Sequence, residues 1–176
     1  MLCRTRTGLM SLVAAAVLAA GSLPGTAAGS SVLHDDDDDD SKLTSQQRDL
    51  VETLRDVTED YRSLDEAMED GYKKVTGCVE KAGVGAMGFH YAKNSLIDAK
   101  TDAHHPEILV YMPNRHGRYK LVAVEFLSTA KKRPVIAGVK FDNGPFPKTF
   151  ALHAWVWREN PDGMFAAYNP DLKCRK

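Results

Sequence analysis

Residues 151–160 read Ala-Leu-His-Ala-Trp-Val-Trp-Arg-Glu-Asn, and the rest of the fold is predicted outward from this segment. Aromatic and apolar residues dominate residues 150–159, which predicts a β-strand. Successive side chains of a strand point to opposite faces, so His153, Trp155 and Trp157 are expected on the same face. That face is predicted to line a pocket in which His153 is either a ligand or a reactive group. The two tryptophans are expected to form its aromatic wall, together with Tyr91; the alternative is that the tryptophans belong to the core.

Further short segments that precede and follow this one carry the same strand pattern and are separated by turn residues. Two of them, joined by the turn at residues 113–117, predict a β-hairpin. The predicted strands cover residues 87–92, 107–112, 119–128, 135–141, 150–159 and 164–168.

Two helices are predicted before the strands. Thr44 is the expected N-cap of the first helix, which shows apolar residues at helical spacing. Ser63 and Glu66 fit a capping box that opens a second helix over residues 64–70, and Gly71 follows where a C′ glycine is expected. Helices followed by strands with short turns predict an α+β domain, in which N-terminal helices pack on a curved antiparallel sheet or partial barrel. A cystatin-like or NTF2-like arrangement fits this order.

The N-terminal region has the composition of a targeting segment. Arg4 and Arg6 precede an apolar run, and a small-residue cleavage motif follows, so residues 1–28 are predicted to be a signal peptide that is removed. Residues 29–42 are predicted to be a disordered acidic linker, because they include a run of six aspartates. Residues 43–176 are then a single domain, and the protein is expected to be secreted, without a membrane span.

Charge and cysteine content narrow the class of protein further. The formal net charge of the chain is −1, and without the signal peptide and the aspartates the remainder is mildly basic. This excess is too weak and too little clustered to predict a nucleic-acid partner. An exported chain favours disulfides, so Cys78 and Cys174 are predicted to form one.

The glycine-rich residues 83–88 match the spelling of a dinucleotide-binding loop. We reject that interpretation, because no strand is predicted before the loop and no amphipathic helix after it. The glycines are instead expected to turn the backbone into the next strand.

Three ionisable residues lie within apolar strands. His90 is flanked by aromatic residues, Glu125 lies in the apolar residues 121–126, and His153 lies in the last long strand. A buried carboxylate is costly unless it has a partner, so the three side chains are expected to converge if their strands are neighbours. Two histidines and a carboxylate form a recognised ligand set for zinc, copper or iron. Two alternatives stay open: acid–base chemistry without metal, and a purely structural pairing.

The chain resembles a family of small exported bacterial proteins of unassigned function. The resemblance is carried by residues 86–91, 107–111, 121–126, 152–157 and 160–170, and it covers most of residues 72–174. It implies an exported single-domain protein and no particular activity. The function predicted from the site is therefore metal binding in an aromatic-lined pocket, with enzyme and binder both open. The alternatives are a metal-free enzyme or carrier for a small organic ligand, and an extracellular interaction module.

Overall fold

A computed structural model describes residues 42–175 of the chain. The predicted signal peptide, and the predicted linker up to residue 41, lie outside the described residues. Among residues 42–175, no helix is both long enough and apolar enough to span a bilayer.

The first helix, α1, covers Ser45–Thr58 and begins as predicted. The Thr44 side chain accepts a hydrogen bond from the Gln47 backbone N–H, and the Gln47 side chain accepts one from the Thr44 N–H. This reciprocal capping box satisfies two of the backbone donors that a helix start leaves unpaired. The apolar stripe of α1 lies in the hydrophobic core through Leu50, Val51 and Leu54.

The second helix, α2, covers Leu64–Glu69. Ser63 is its N-cap, but the Ser63 side chain makes no capping hydrogen bond, so the predicted capping box with Glu66 is wrong. Gly71 follows the helix with φ of 96°, a left-handed conformation that glycine adopts without steric cost.

Eight strands follow the helices, and six of them form one antiparallel sheet that curls into a half-barrel. The predicted α+β class with a curved antiparallel sheet is confirmed. The strands are β1 Lys73–Lys81, β2 Gly85–Ala92, β3 Ile108–Pro113, β4 Tyr119–Ser128, β5 Val135–Ile136, β6 Val139–Lys140, β7 Asp142–Asn143 and β8 Phe150–Ala154. The spatial order of the large sheet is β1-β2-β3-β4-β8-β7, and β5 pairs with β6 separately.

The sequence patterns did not predict β1, which pairs along β2 in a hairpin. Most of its residues are exposed or half-buried, so it lacks the apolar alternation by which a strand is recognised. A strand therefore does lead into the glycine-rich segment, and that part of the argument against a dinucleotide loop is wrong. Residues 83–84 lie in the turn between β1 and β2, residues 85–88 form the start of β2, and no amphipathic helix follows.

The last long strand is shorter than predicted, because β8 ends at Ala154 rather than at residue 159. Beyond Ala154 the backbone leaves the ladder: the Trp155 N–H donates to the Met164 carbonyl, and the Trp157 N–H donates to the Val122 carbonyl. The alternation of faces therefore does not continue to Trp157.

Two other predicted strands are also wrong. Residues 135–141 do not form one strand, because Ala137 and Gly138 have positive φ and turn the chain between β5 and β6. Residues 164–168 contain no strand, and the chain there makes turns before Asn169 forms an isolated bridge with Ala86.

The predicted disulfide is confirmed. Cys78 on β1 is bonded to Cys174 near the C-terminus, across a sequence separation of 96 residues. It ties the C-terminal tail to an edge strand of the sheet.

Individual hydrogen bonds connect the helical segment with the rest of the domain. The Tyr111 hydroxyl donates to the Tyr61 carbonyl at 2.6 Å, and the Trp157 indole N–H donates to the Thr58 hydroxyl at 2.9 Å. One bond is made by the last residue of α1, and the other by the short 3-10 turn Asp60–Arg62 between α1 and α2. The broader expectation that both helices lie packed across the sheet stays a prediction.

The basic residues are more clustered than the sequence suggests. A groove of about 800 Å³ lies beside the β3–β4 turn and the C-terminal tail, and among the described residues that line it the only carboxylate is that of Asp171. Two of the groove's basic residues, Lys173 and Arg175, directly flank the disulfide-bonded Cys174. The basic residues of the groove are Arg115, Arg118, Lys120, Arg158, Lys173 and Arg175.

Candidate metal centre

Strand register explains how His90, Glu125 and His153 meet. Glu125 on β4 lies directly opposite His153 on β8, so their side chains share one face of the sheet. Glu125 also lies opposite Ile108 on β3, and Ile108 opposite Ala92 on β2. His90 is two residues before Ala92 and therefore projects from the same face. The curl of the sheet brings β2 close enough to β4 for the side chains to touch.

The three side chains form a compact buried group. The Nε2 atom of His90 lies 3.5 Å from Oε2 of Glu125, and Nε2 of His153 lies 3.9 Å from the same oxygen. One ligand atom from each residue lies within 4.8 Å of the others. Donor atoms bound tetrahedrally to zinc lie about 3.4 Å apart, as follows from bond lengths of about 2.0–2.2 Å. The group is therefore close to the size that a transition metal requires.

His153 has an unpaired nitrogen. Its Nε2 atom is buried and, within the described part of the chain, has no hydrogen-bond partner. Glu125 at 3.9 Å is too far to provide one. Buried polar atoms are nearly always paired, so this nitrogen is the feature of the site that most needs a ligand.

His90 is oriented by Thr76 on β1. The Thr76 hydroxyl oxygen lies 3.0 Å from Nδ1 of His90 and accepts the His90 backbone N–H at 3.1 Å. A proton on Nδ1 that is donated to this hydroxyl leaves the lone pair of Nε2 directed at Glu125. Hydrogen bonds of this kind set the tautomer and ring orientation of metal-binding histidines. The sequence patterns missed Thr76 because they missed β1.

Burial sets the protonation of the group. Removal from water raises the pKa of Glu125 to about 8, with a smaller contribution from the charge of Glu107. Burial also lowers the pKa of His90 to about 4 and that of His153 to about 3. At neutral pH and without metal, the centre therefore holds a protonated carboxyl and two neutral imidazoles. Both imidazoles already have the charge state that metal ligation needs.

Glu107 is a second buried carboxyl that the sequence patterns missed. It is 2% exposed, and its Oε2 accepts the Leu127 backbone N–H at 3.2 Å. Burial raises the pKa of Glu107 to about 7. It directly precedes β3, where its neighbour Ile108 faces the cavity. Its position at the start of an apolar strand was the available signal.

A cavity of about 600 Å³ adjoins the group, and His90, Glu125 and His153 form part of its wall. The other lining residues are mostly apolar, among them Ile108, Leu127 and Met87. Residues of β7 and the following turn, including Phe146, form another part of the lining. A ligand bound at the three side chains would therefore face a space large enough for a small organic molecule.

Tyr91, Trp155 and Trp157 do not line this cavity. Tyr91 alternates with His90 on β2 and points to the opposite face, where its ring centroid lies 5.2 Å from that of Tyr111. It belongs to an aromatic cluster on that face, formed by Phe89, Tyr91, Tyr111 and Tyr119.

The two tryptophans separate because β8 ends before them. Trp155 stacks beside His153, with ring centroids 6.3 Å apart and planes inclined by 19°. Its indole N–H donates to the Ala166 carbonyl, so Trp155 supports the His153 ring from within the core. Trp157 contacts the helical segment instead: its indole bonds Thr58, and the Arg62 guanidinium lies 4.7 Å above its ring centroid.

No family model matches the chain, and neither the curated proteins nor the solved structures include a significant match.

Proposed function

We propose that the protein binds a divalent transition-metal ion through His90, Glu125 and His153. The observation that carries the proposal is the convergence of three buried ligand atoms, with Nε2 of His153 left without a hydrogen-bond partner. A cation bound here would pair that nitrogen and take the place of the Glu125 proton. A purely structural trio explains the unpaired nitrogen less well, because burial of a polar atom without a partner costs about 1–3 kcal/mol.

The ligand types limit the choice of metal. Two imidazoles and one carboxylate suit zinc, iron(II) or copper(II), and they disfavour the hard cations calcium and magnesium, which prefer oxygen ligands. The cysteines Cys78 and Cys174 are bonded to each other, so they supply no thiolate. Three protein ligands beside a cavity leave at least one coordination position open, as catalytic zinc sites do. Binder and enzyme are both compatible with this arrangement.

We also propose that the protein is secreted. The basic and apolar N-terminal sequence supports export, and the Cys78–Cys174 disulfide is typical of an oxidising compartment. The resemblance to small exported bacterial proteins is in agreement with this proposal.

Metal analysis of protein produced without a histidine tag tests the metal-binding proposal. We expect about one equivalent of zinc, iron or copper after reconstitution, and almost none in the double variant His90→Ala/His153→Ala. The matched control is His104→Ala/His116→Ala, which removes two exposed loop histidines. Equal metal content in the two double variants would contradict the proposal.

A second candidate function follows from the protonation of the metal-free centre. A protonated Glu125 beside two neutral imidazoles is an acid–base group, and the adjoining cavity has room for a small organic substrate or ligand. Trp155 stacks on His153, so its fluorescence should report occupancy. Ligand binding that persists in chelator-treated protein and is lost in Glu125→Gln would favour this function over metal binding.

A further inference from the structure

The cavity beside the candidate metal centre is lined by the three candidate ligands and otherwise by mostly apolar residues. Its volume of about 600 Å³ lies within the range of sites for small organic molecules. At one end stand the three candidate ligands. Strands β1, β2, β3 and β4 contribute Val75, Val79, Met87, Ile108 and Leu127 to the apolar part of the wall, and the segment between β2 and β3 contributes Ile97.

The charges around the cavity limit its ligand. Among the described residues that line it there is no lysine or arginine, and the carboxyl groups are those of Glu125 and Asp142. A ligand with several negative charges would therefore meet no cationic side chain in the wall. Asp142 is exposed and is not one of the three ligands. At the ligands themselves, a divalent ion together with ionised Glu125 leaves one net positive charge, which suits a single anionic head group.

The turn after β7 adds an apolar contact at the mouth. Phe146 lines the cavity and is 63% exposed, a large value for a phenylalanine. Its turn is closed by three hydrogen bonds between Phe146 and Thr149 and one from the Gly144 N–H to the Thr149 carbonyl. The exposed ring is thus presented by a well-bonded turn and can cover an apolar group that extends from the cavity.

We propose that the cavity takes a small one-proton oxygen acid with an apolar body, of the class of carboxylic acids, hydroxamic acids and phenols. This inference rests on the proposed metal site, because the acidic head completes the coordination of the bound ion. The apolar body fills the space between His90 and Phe146. Ligand size and head-group chemistry are therefore selected by different parts of one cavity.

A homologous series of hydroxamates tests the proposal on the zinc-loaded full chain, with dissociation constants measured by calorimetry. Burial of each CH₂ group favours binding by about fourfold at most. From acetohydroxamate to octanohydroxamate we expect the affinity to rise about 100-fold or more. Octanamide, which has the tail without the acidic head, should bind at least tenfold more weakly than octanohydroxamate. Equal affinity along the series would overturn the proposal.

Variants at the mouth of the cavity provide a second test, because replacing an exposed side chain there leaves the buried core unchanged. Phe146→Ala should weaken octanohydroxamate severalfold and leave acetohydroxamate unchanged. Val135→Ala removes a comparably exposed apolar side chain that does not line the cavity, so it should change neither affinity. An equal effect of both variants on both ligands would count against the assigned position of the tail.

The outcomes separate this inference from the proposed function. Zinc binding without any chain-length dependence would overturn the ligand class and leave metal binding standing. Failure to bind any of zinc, iron and copper would overturn the proposed function and, with it, the role of the acidic head. If the affinity still rose with chain length in chelator-treated protein, the part of the inference that concerns the apolar body would stand and the part that concerns the acidic head would not.

Discussion

Histidine and glutamate are common residues, and at this site their chemistry is set by the dry surroundings of their side chains. Burial holds Glu125 protonated and both histidines neutral, because the charged form of each is disfavoured away from water. A bound cation would reverse this preference for Glu125 only, since the histidines must stay neutral to act as ligands. The two kinds of residue therefore respond differently to pH.

Metal affinity should consequently depend on pH mainly through the Glu125 proton, while ionisation of the nearby buried Glu107, with a pKa of about 7, adds to the attraction for the cation. Below the Glu125 pKa of about 8, binding must displace the carboxyl proton, so the dissociation constant should fall about tenfold for each unit of rising pH. Above that pKa the affinity should level off. The histidines add no slope at neutral pH, because their pKa values of about 4 and 3 lie well below it. Competition titrations between about pH 6 and pH 9 measure this pH dependence. A metal affinity that did not change over that range would contradict the prediction.

Thr76 should act on the metal through His90. Thr76→Val removes the hydroxyl beside Nδ1 while nearly preserving side-chain shape, and loss of such a supporting bond typically lowers metal affinity about 10–100-fold. Thr129→Val is the matched control, because Thr129 is exposed and is not one of the residues that line the cavity. A chelator competition assay measures both, and similar affinities would show that Thr76 does not orient His90.

At the scale of elements, the sheet depends on close backbone approaches that only glycine permits. Gly88 on β2 has φ of 119°, and a Cβ atom there would lie 2.7 Å from the Tyr111 carbonyl oxygen. Gly77 on β1 has no atom within 4 Å of its Cβ position. The two strands thus contain glycines with opposite steric requirements, and Gly88 lies two residues from His90.

Gly88→Ala should therefore destabilise the protein by about 2–4 kcal/mol, through the unfavourable φ and the overlap with β3. It should also weaken metal binding, because His90 would shift with the strand. Gly77→Ala is expected to be neutral or stabilising by about 0.4–1 kcal/mol. Urea unfolding compares the two variants, and equal stabilities would refute the steric argument.

The element boundaries show where sequence patterns stop being informative. Helix α1 and the strands β3 and β4 follow their predicted patterns closely, because each has a clear apolar periodicity or a capping residue. Strand β1 lacks such a pattern, since it lies at a sheet edge and has few buried residues. Strand β8 ends early although its pattern continues, because hydrogen bonds to Val122 and Met164 replace the ladder.

On the scale of the whole molecule, the Cys78–Cys174 disulfide closes most of the described chain into one loop. It joins edge strand β1, which contributes Thr76 to the candidate metal centre, to the C-terminal tail. Loss of this bond should therefore affect both the stability of the domain and the order of one side of the site.

The double variant Cys78→Ala/Cys174→Ala should have a free energy of unfolding about 4–5 kcal/mol lower than that of the native chain, as the chain-entropy model gives for a loop of this length. Denaturant unfolding under non-reducing conditions measures the difference. The native chain under reducing conditions is the control and should match the variant. A difference below about 1 kcal/mol would show that the described fold does not depend on the bond.

The sequence by itself determined the α+β class, the start of α1, the central hairpin and the disulfide partners, because these depend on local periodicity, capping and cysteine count. It also singled out His90, Glu125 and His153, since an ionisable residue within an apolar strand needs a partner. Only the tertiary structure decided that the three meet, because convergence depends on strand order, register and the curl of the sheet. It also placed Trp155 behind His153 and Trp157 against the helical segment. These two positions follow from where β8 leaves the sheet, which is decided by contacts between residues far apart in sequence.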